Sequence, residues 1–138
     1  MDARAEVEKL LQALAGQLGL VGLELDGDDA LNLRLSGQAV RLAFSEELEE
    51  LVSLIYLTPA LPEAAAERRE LLADLMRGNY AWAGTDGGVL GLEGGQVCLA
   101  RRYGLWRESG PSFLEKLARQ VGLADFWTDV LEKRRALP

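Results

Sequence analysis

A chain of 138 residues with 49% apolar and 27% charged side chains has the composition of a folded protein. Its length fits one core better than two marginal ones, so a single unit over residues 1–138 is expected. A net charge of -7 and a pI of about 4.7 argue against nucleic-acid or anionic-membrane binding, and no apolar run reaches the roughly 20 residues of a membrane span.

Met1-Asp2-Ala3-Arg4-Ala5-Glu6 opens a charged helix, not a signal peptide, which predicts a cytoplasmic protein. From Ala3 to Leu18, the spacing of Val7, Leu10, Leu11, Leu14 and Leu18 gathers apolar side chains on one side of a helix. Gly19 is placed to end it with a left-handed cap. The period then changes to two. Leu23 and Leu25 predict a strand that ends at the turn Asp26-Gly27-Asp28-Asp29. Leu31, Leu33 and Leu35 predict the next, and Ser36-Gly37-Gln38 turns the chain into Val40, Leu42 and Phe44. The acidic link Glu46 to Glu50 leads to Leu51-Val52-Ser53-Leu54-Ile55-Tyr56-Leu57, which is apolar on both faces of an extended chain. Such a strand wants a helix on one side and a partner subunit or ligand peptide on the other.

Pro59 and Pro62 stop that strand. A second helix is predicted from Glu63 to Gly78, with a stripe of Leu71, Leu72, Leu75 and Met76 and a cap at Gly78-Asn79. Tyr80 and Trp82 add aromatic bulk before the turn Thr85-Asp86-Gly87-Gly88. Val89 to Leu92 and Val97 to Tyr103 read as a hairpin joined by Glu93-Gly94-Gly95-Gln96. Ser112 and Glu115 have the form of a capping box for a helix striped by Phe113, Leu114, Leu117 and Val121. Gly122 is expected to interrupt it before a last helical stretch, Ala124 to Ala136, carrying Phe126, Trp127, Val130 and Leu131. The order describes an α+β fold in which helices pack on an antiparallel sheet. Its leucine surplus exceeds what one small interior hides, which points to an apolar groove or a dimer seam.

No catalytic constellation emerges. The chain lacks histidine, the usual proton shuttle and transition-metal ligand. Cys98 is the single cysteine, so there is no internal disulfide or multi-thiolate zinc site, and its alternating apolar run predicts a packed thiol. Asp26-Gly27-Asp28-Asp29 lacks the further oxygen ligands and closing glutamate of a calcium loop and reads as a turn. Glycines 84, 87, 88, 91, 94 and 95 are followed by no Gly-Lys-Ser/Thr and read as turn and bulge positions. Glu46, Glu47, Glu49 and Glu50 have too little apolar surrounding to divide acid from base roles. Lys133-Arg134-Arg135 falls where cations favour a helix C-terminus. Trp82, Trp106 and Trp127 suit either the core or a partner surface.

The ordered set Leu18-Gly19-Leu20, Leu23-Glu24-Leu25-Asp26, Leu71-Leu72 to Gly78-Asn79-Tyr80, Thr85-Asp86-Gly87-Gly88 into Val89-Leu90-Gly91-Leu92, and Phe126-Trp127 resembles the Tir chaperone, or CesT-like, family of type III secretion chaperones. The resemblance implies a homodimer of α+β subunits that binds the N-terminal chaperone-binding segment of a secreted effector in extended form. It implies no cofactor and no enzymatic activity. By element, it places effector binding on Leu14, Leu18, Leu33, Leu42, Phe44 and Tyr56, and the dimer interface on Leu72, Leu75 and Met76. A regulatory chaperone that sequesters an anti-activator and a small-ligand-binding α+β domain are the alternative readings.

Overall fold

A computed structural model describes residues 2–80 and 84–136; Trp82 and the side chains of Arg134 and Arg135 lie outside what it describes. The Asp2 carboxylate accepts from the Arg4 amide at 3.0 Å and opens α1, Ala3–Leu18. Gly19 ends it at φ 73°, with the Leu20 amide returning to the Ala15 carbonyl at 2.8 Å.

Five strands follow the alternation in the sequence: β1 (Ala30–Leu35), β2 (Gln38–Ser45), β3 (Glu50–Tyr56), β4 (Val89–Glu93) and β5 (Gln96–Gly104). They form one antiparallel sheet in the order β1-β2-β3-β5-β4. Ser36-Gly37 and Gly94-Gly95, all at positive φ, make the two-residue hairpin turns. Leu23 and Leu25 form no strand. Their apolar sides rest on α1 beside Val7 and Leu11, and the Asp26 carboxylate takes the amides of Asp28 and Ala30, closing a turn ahead of β1.

Register divides the sheet into two faces. Val40, Leu42 and Phe44 lie opposite Ile55, Ser53 and Leu51, which in turn face Leu99, Arg101 and Tyr103. Against this face pack Val7, Leu10, Leu11 and Leu14 of α1, Leu71 and Leu75 of α2 (Ala65–Asn79), and Phe113, Leu117 and Leu131 of α3 (Gly110–Ala136), in one core. The opposite face carries Val52, Leu54 and Tyr56, none of which joins that core.

Three predicted boundaries are corrected. Gly78 is no cap: it lies inside α2 and is buried, and Tyr80 is the capping residue. A Cβ at Gly78 would stand 2.5 Å from the Trp127 ring, while the Trp127 indole N–H donates to the Gly84 carbonyl at 2.8 Å. Asn79 instead reaches β4, donating to the Leu90 carbonyl and accepting from its amide, both at 2.7 Å. The capping box of α3 is Ser109 with Ser112, not Ser112 with Glu115: each amide donates to the other's hydroxyl, at 2.9 and 3.1 Å. Gly122 does not interrupt α3, which runs through 27 residues. Its cost of about 1 kcal/mol against alanine is outweighed by burial of Val121, Ala124, Trp127 and Leu131 around it.

Gln120 and Ser53 bring polar side chains into this core. The Gln120 carboxamide oxygen accepts from the hydroxyls of Ser53 and Tyr103, and its nitrogen donates to the carbonyls of Ser53 and Leu99 at 3.3 and 3.1 Å. All three side chains are buried, and burial pushes the Tyr103 phenol up to about 12. Gln120→Leu keeps the volume but leaves the buried Tyr103 hydroxyl without its acceptor and the Ser53 hydroxyl with only Tyr103, at 3.3 Å, so a loss of about 2 kcal/mol is expected in urea unfolding. Unchanged stability would show that the network contributes nothing net.

Candidate functional site

The C-terminal half of α1, the β1–β2 turn and α3 enclose an apolar groove of about 430 Å³. Leu14, Leu18, Leu35, Leu114, Leu117 and Val121 line it, with Gln17, Ser36 and Glu115 supplying the polar positions. Leu18 in its lining is 41% exposed, and Leu20 and Val21, which follow the end of α1 in sequence, are 50% and 106% exposed. An apolar groove with a half-exposed leucine in its wall forms a surface suited to an apolar segment of another chain. A second groove, of about 420 Å³, lies between α1 and Leu23-Leu25 and is more polar, with Arg4, Glu8 and Glu24 in its lining.

The six residues expected to bind a partner segment separate by position. Leu14 and Leu18 line the groove. Leu33 is half-buried on β1 and packs against the core. Leu42 is fully buried and Phe44 nearly so, beneath the helices, so they belong to the interior and offer no surface in this subunit. Tyr56 lies on the other face of the sheet and is not joined to the groove. There it is half-buried, and burial followed by nearby Glu93 raises its phenol pKa. The second wall of the groove, Leu114, Leu117 and Val121, was visible in the sequence as the stripe of α3, but nothing local showed that this stripe faces the end of α1.

The three residues expected at a subunit seam also differ in depth. Leu75 is buried, Leu72 half-buried, and Met76 74% exposed. Tyr80, one turn further on, is 79% exposed, and the adjacent β4 exposes Val89 and Leu92. These side chains lie toward the edge of the sheet far from β1, with Val89 and Leu92 on opposite faces of β4.

Among the described residues, no group of three or more His, Cys, Asp or Glu side chains could hold a metal ion. Cys98 is buried on the outer face of the sheet, and its thiol is pushed up to about 11, by burial first and then by Glu93. Glu50, which opens β3, pairs with Arg102 of β5 at 2.9 Å, and Glu49 before it accepts from the Trp106 indole. Asp29 of the acidic turn pairs with Arg4 at 3.2 Å. No helix among the described residues is long and apolar enough to cross a membrane. What the chain offers is apolar surface for another polypeptide.

Solved structures share this architecture. A chain in the ExsC–ExsE complex is 25% identical, with a TM-score of 0.80 over 95% of this chain and 97% of that one. A chain in the HopA1–SchA chaperone–effector complex is 18% identical, with a TM-score of 0.72 over 92% and 96%. A chain in the complex of the Yersinia pestis type III secretion chaperone SycH with a stable fragment of YscM2 is 20% identical, with a TM-score of 0.65 over 86% and 97%. No curated protein matches the chain by sequence. Residues 9–128 match the Tir chaperone protein (CesT) family, and with nearly its whole length accounted for, this chain belongs to that family.

Proposed function

We propose that this protein is a type III secretion chaperone that works as a cytoplasmic homodimer, holding the N-terminal segment of a secreted effector soluble and competent for export. The observation that carries the reading is family membership across residues 9–128. The HopA1–SchA complex, described as chaperone with effector, supports it from a protein of the same architecture.

The groove gives the reading its physics. Leu14 and Leu18 on one wall and Leu114, Leu117 and Val121 on the other receive apolar side chains of the client, while Leu42 and Phe44 support the sheet from within and Leu33 extends the apolar surface along β1. β1 is an edge strand. Because the two-residue turn Ser36-Gly37 makes Leu35 and Gln38 a bonded pair, the backbone groups of Asn32 and Arg34 point away from β2. An extended client can bond to them as an added strand and place alternate side chains toward the groove. The cost of ordering the client is offset by a long contact, and two subunits raise its effective concentration at the second site. The dimer seam is assigned to Met76 and Leu72, with Tyr80 beside them and Leu75 supporting from beneath. The work is binding over residues 1–138 as one unit, without enzymatic chemistry or cofactor.

Co-expression with the product of a neighbouring gene tests this directly. Light scattering after size exclusion should give a dimer carrying client, and the client's N-terminal segment should resist protease only in the complex. A monomer at micromolar concentration, or a client equally sensitive with and without this chain, overturns the reading.

A further inference from the structure

The chain between α1 and β1 begins to pair with β1 and then stops. The Asp26 amide donates to the Ala30 carbonyl at 2.8 Å, the one main-chain bond among the described residues between this segment and β1. Beyond it, no amide or carbonyl of residues 21–25 is hydrogen-bonded to a described residue. Antiparallel counting from that bond sets Leu25 opposite Leu31, Glu24 opposite Asn32, Leu23 opposite Leu33 and Gly22 opposite Arg34. Backbone and side chains both fit this register. Ala30, Asn32 and Arg34 are the β1 residues whose backbone groups point away from β2. Leu23 and Leu25 pack against the same core as Leu31 and Leu33. On the other face, Arg34 and Arg41 flank Asn32, and neither arginine forms an ion pair among the described residues.

We propose that residues 22–26 are an autoinhibitory strap, which closes onto β1 as an extra strand in the free protein and is displaced when a client strand takes the same backbone groups. The inference rests on the chaperone reading for the identity of the client. Because the first rung is already made, closure adds two bonded pairs, Glu24 with Asn32 and Gly22 with Arg34, without forming a new loop. It also sets the Glu24 carboxylate on the face that holds Arg34 and Arg41, an attraction that salt weakens. An uncovered edge strand is a template for pairing with further copies. A strap that covers it between clients prevents such pairing and makes the client compete for the edge. With the strap closed about ten times as often as open, client affinity falls by about that factor.

Glu24→Pro removes the amide that closure needs, at an exposed position where that amide bonds to no described residue. Hydrogen exchange on the free, unaltered protein should show the Asn32 and Arg34 amides protected, and exchange at both should be roughly tenfold faster in the proline variant. The same variant should bind the N-terminal segment of the co-expressed client roughly tenfold more tightly. Glu24→Cys/Asn32→Cys tests the opposite extreme, because the Cα atoms of a bonded pair stand about 5.5 Å apart, within the span of a disulfide. Oxidation should lock the strap shut, and the oxidised form should bind that segment at least roughly tenfold more weakly than the reduced form of the same variant. Equal exchange in the unaltered and proline proteins, a disulfide that does not form, or client affinity unmoved by either change each overturns the inference. Equal capture by every form leaves the chaperone reading standing, whereas absence of capture by the unaltered protein sinks that reading and the strap's role with it.

Discussion

Trp127→Ala is expected to lower the stability of the fold by about 3–5 kcal/mol, the usual range for removing a buried tryptophan. The ring is 5% exposed and packs edge-on to Phe126 at 5.3 Å between centroids. It also fills space that two glycines leave open, since a Cβ at Gly84 would stand 2.8 Å from the ring and one at Gly78 closer still. Truncation would therefore open a cavity at the junction of α2, α3 and the turn before β4, and strip the Gly84 carbonyl of its donor. Trp127→Phe restores part of the volume without the N–H, so a smaller loss of about 1–2 kcal/mol is expected. Urea unfolding followed by circular dichroism decides it: the midpoint should fall with little change of slope. A loss below about 1 kcal/mol for the alanine variant would show that the ring does not pin the end of α2.

The largest functional effect is expected from Leu18→Glu/Leu114→Glu, which should reduce client affinity by about 100-fold or more while leaving the fold intact. The two side chains stand on opposite walls of one groove, the first 41% exposed and the second half-buried, so their replacement removes little from the subunit's own core. Closing a client over them would desolvate two carboxylates among Leu14, Leu35, Leu117 and Val121. That costs several kcal/mol unless protons are taken up, and each 1.4 kcal/mol is about a factor of ten. Fluorescence anisotropy with a labelled client segment measures the loss, and a melting temperature within a few degrees of the parent certifies the fold. Undiminished affinity in a folded variant would move the binding site away from the groove.

Much of the fold was legible because its signals are local and periodic. Leu31, Leu33 and Leu35 alternate, Ser36-Gly37 and Gly94-Gly95 carry hairpin chemistry, and Gly19 ends a striped helix; each appears as expected. The misreadings arose where tertiary contact outweighs local preference. Gly78 looks like a cap until the Trp127 ring is seen against it, and Gly122 looks like a break until the buried residues on either side are counted. The site was harder, for a reason of parity. β3 is apolar at both odd and even positions, so the sequence gives no sign of whether Ile55 or Tyr56 shares a face with Leu42 and Phe44. Register with β2 assigns that place to Ile55 and turns Tyr56 outward. Depth was equally hidden: periodicity marks Leu42 and Leu75 as apolar positions, but only packing shows that the subunit consumes them itself.

The clasp between Asn79 and Leu90 bears on how copies of this protein can meet. Counting from the Gly94-Gly95 turn, Leu90 turns its backbone groups away from β5, toward the rim of the sheet, and the Asn79 carboxamide occupies both. That rim is plugged at its middle, so two copies cannot zip there into one continuous ribbon unless the plug is withdrawn. Any union at this end must be made by side chains, which leaves the opposite rim as the place where a visiting strand can be stitched on.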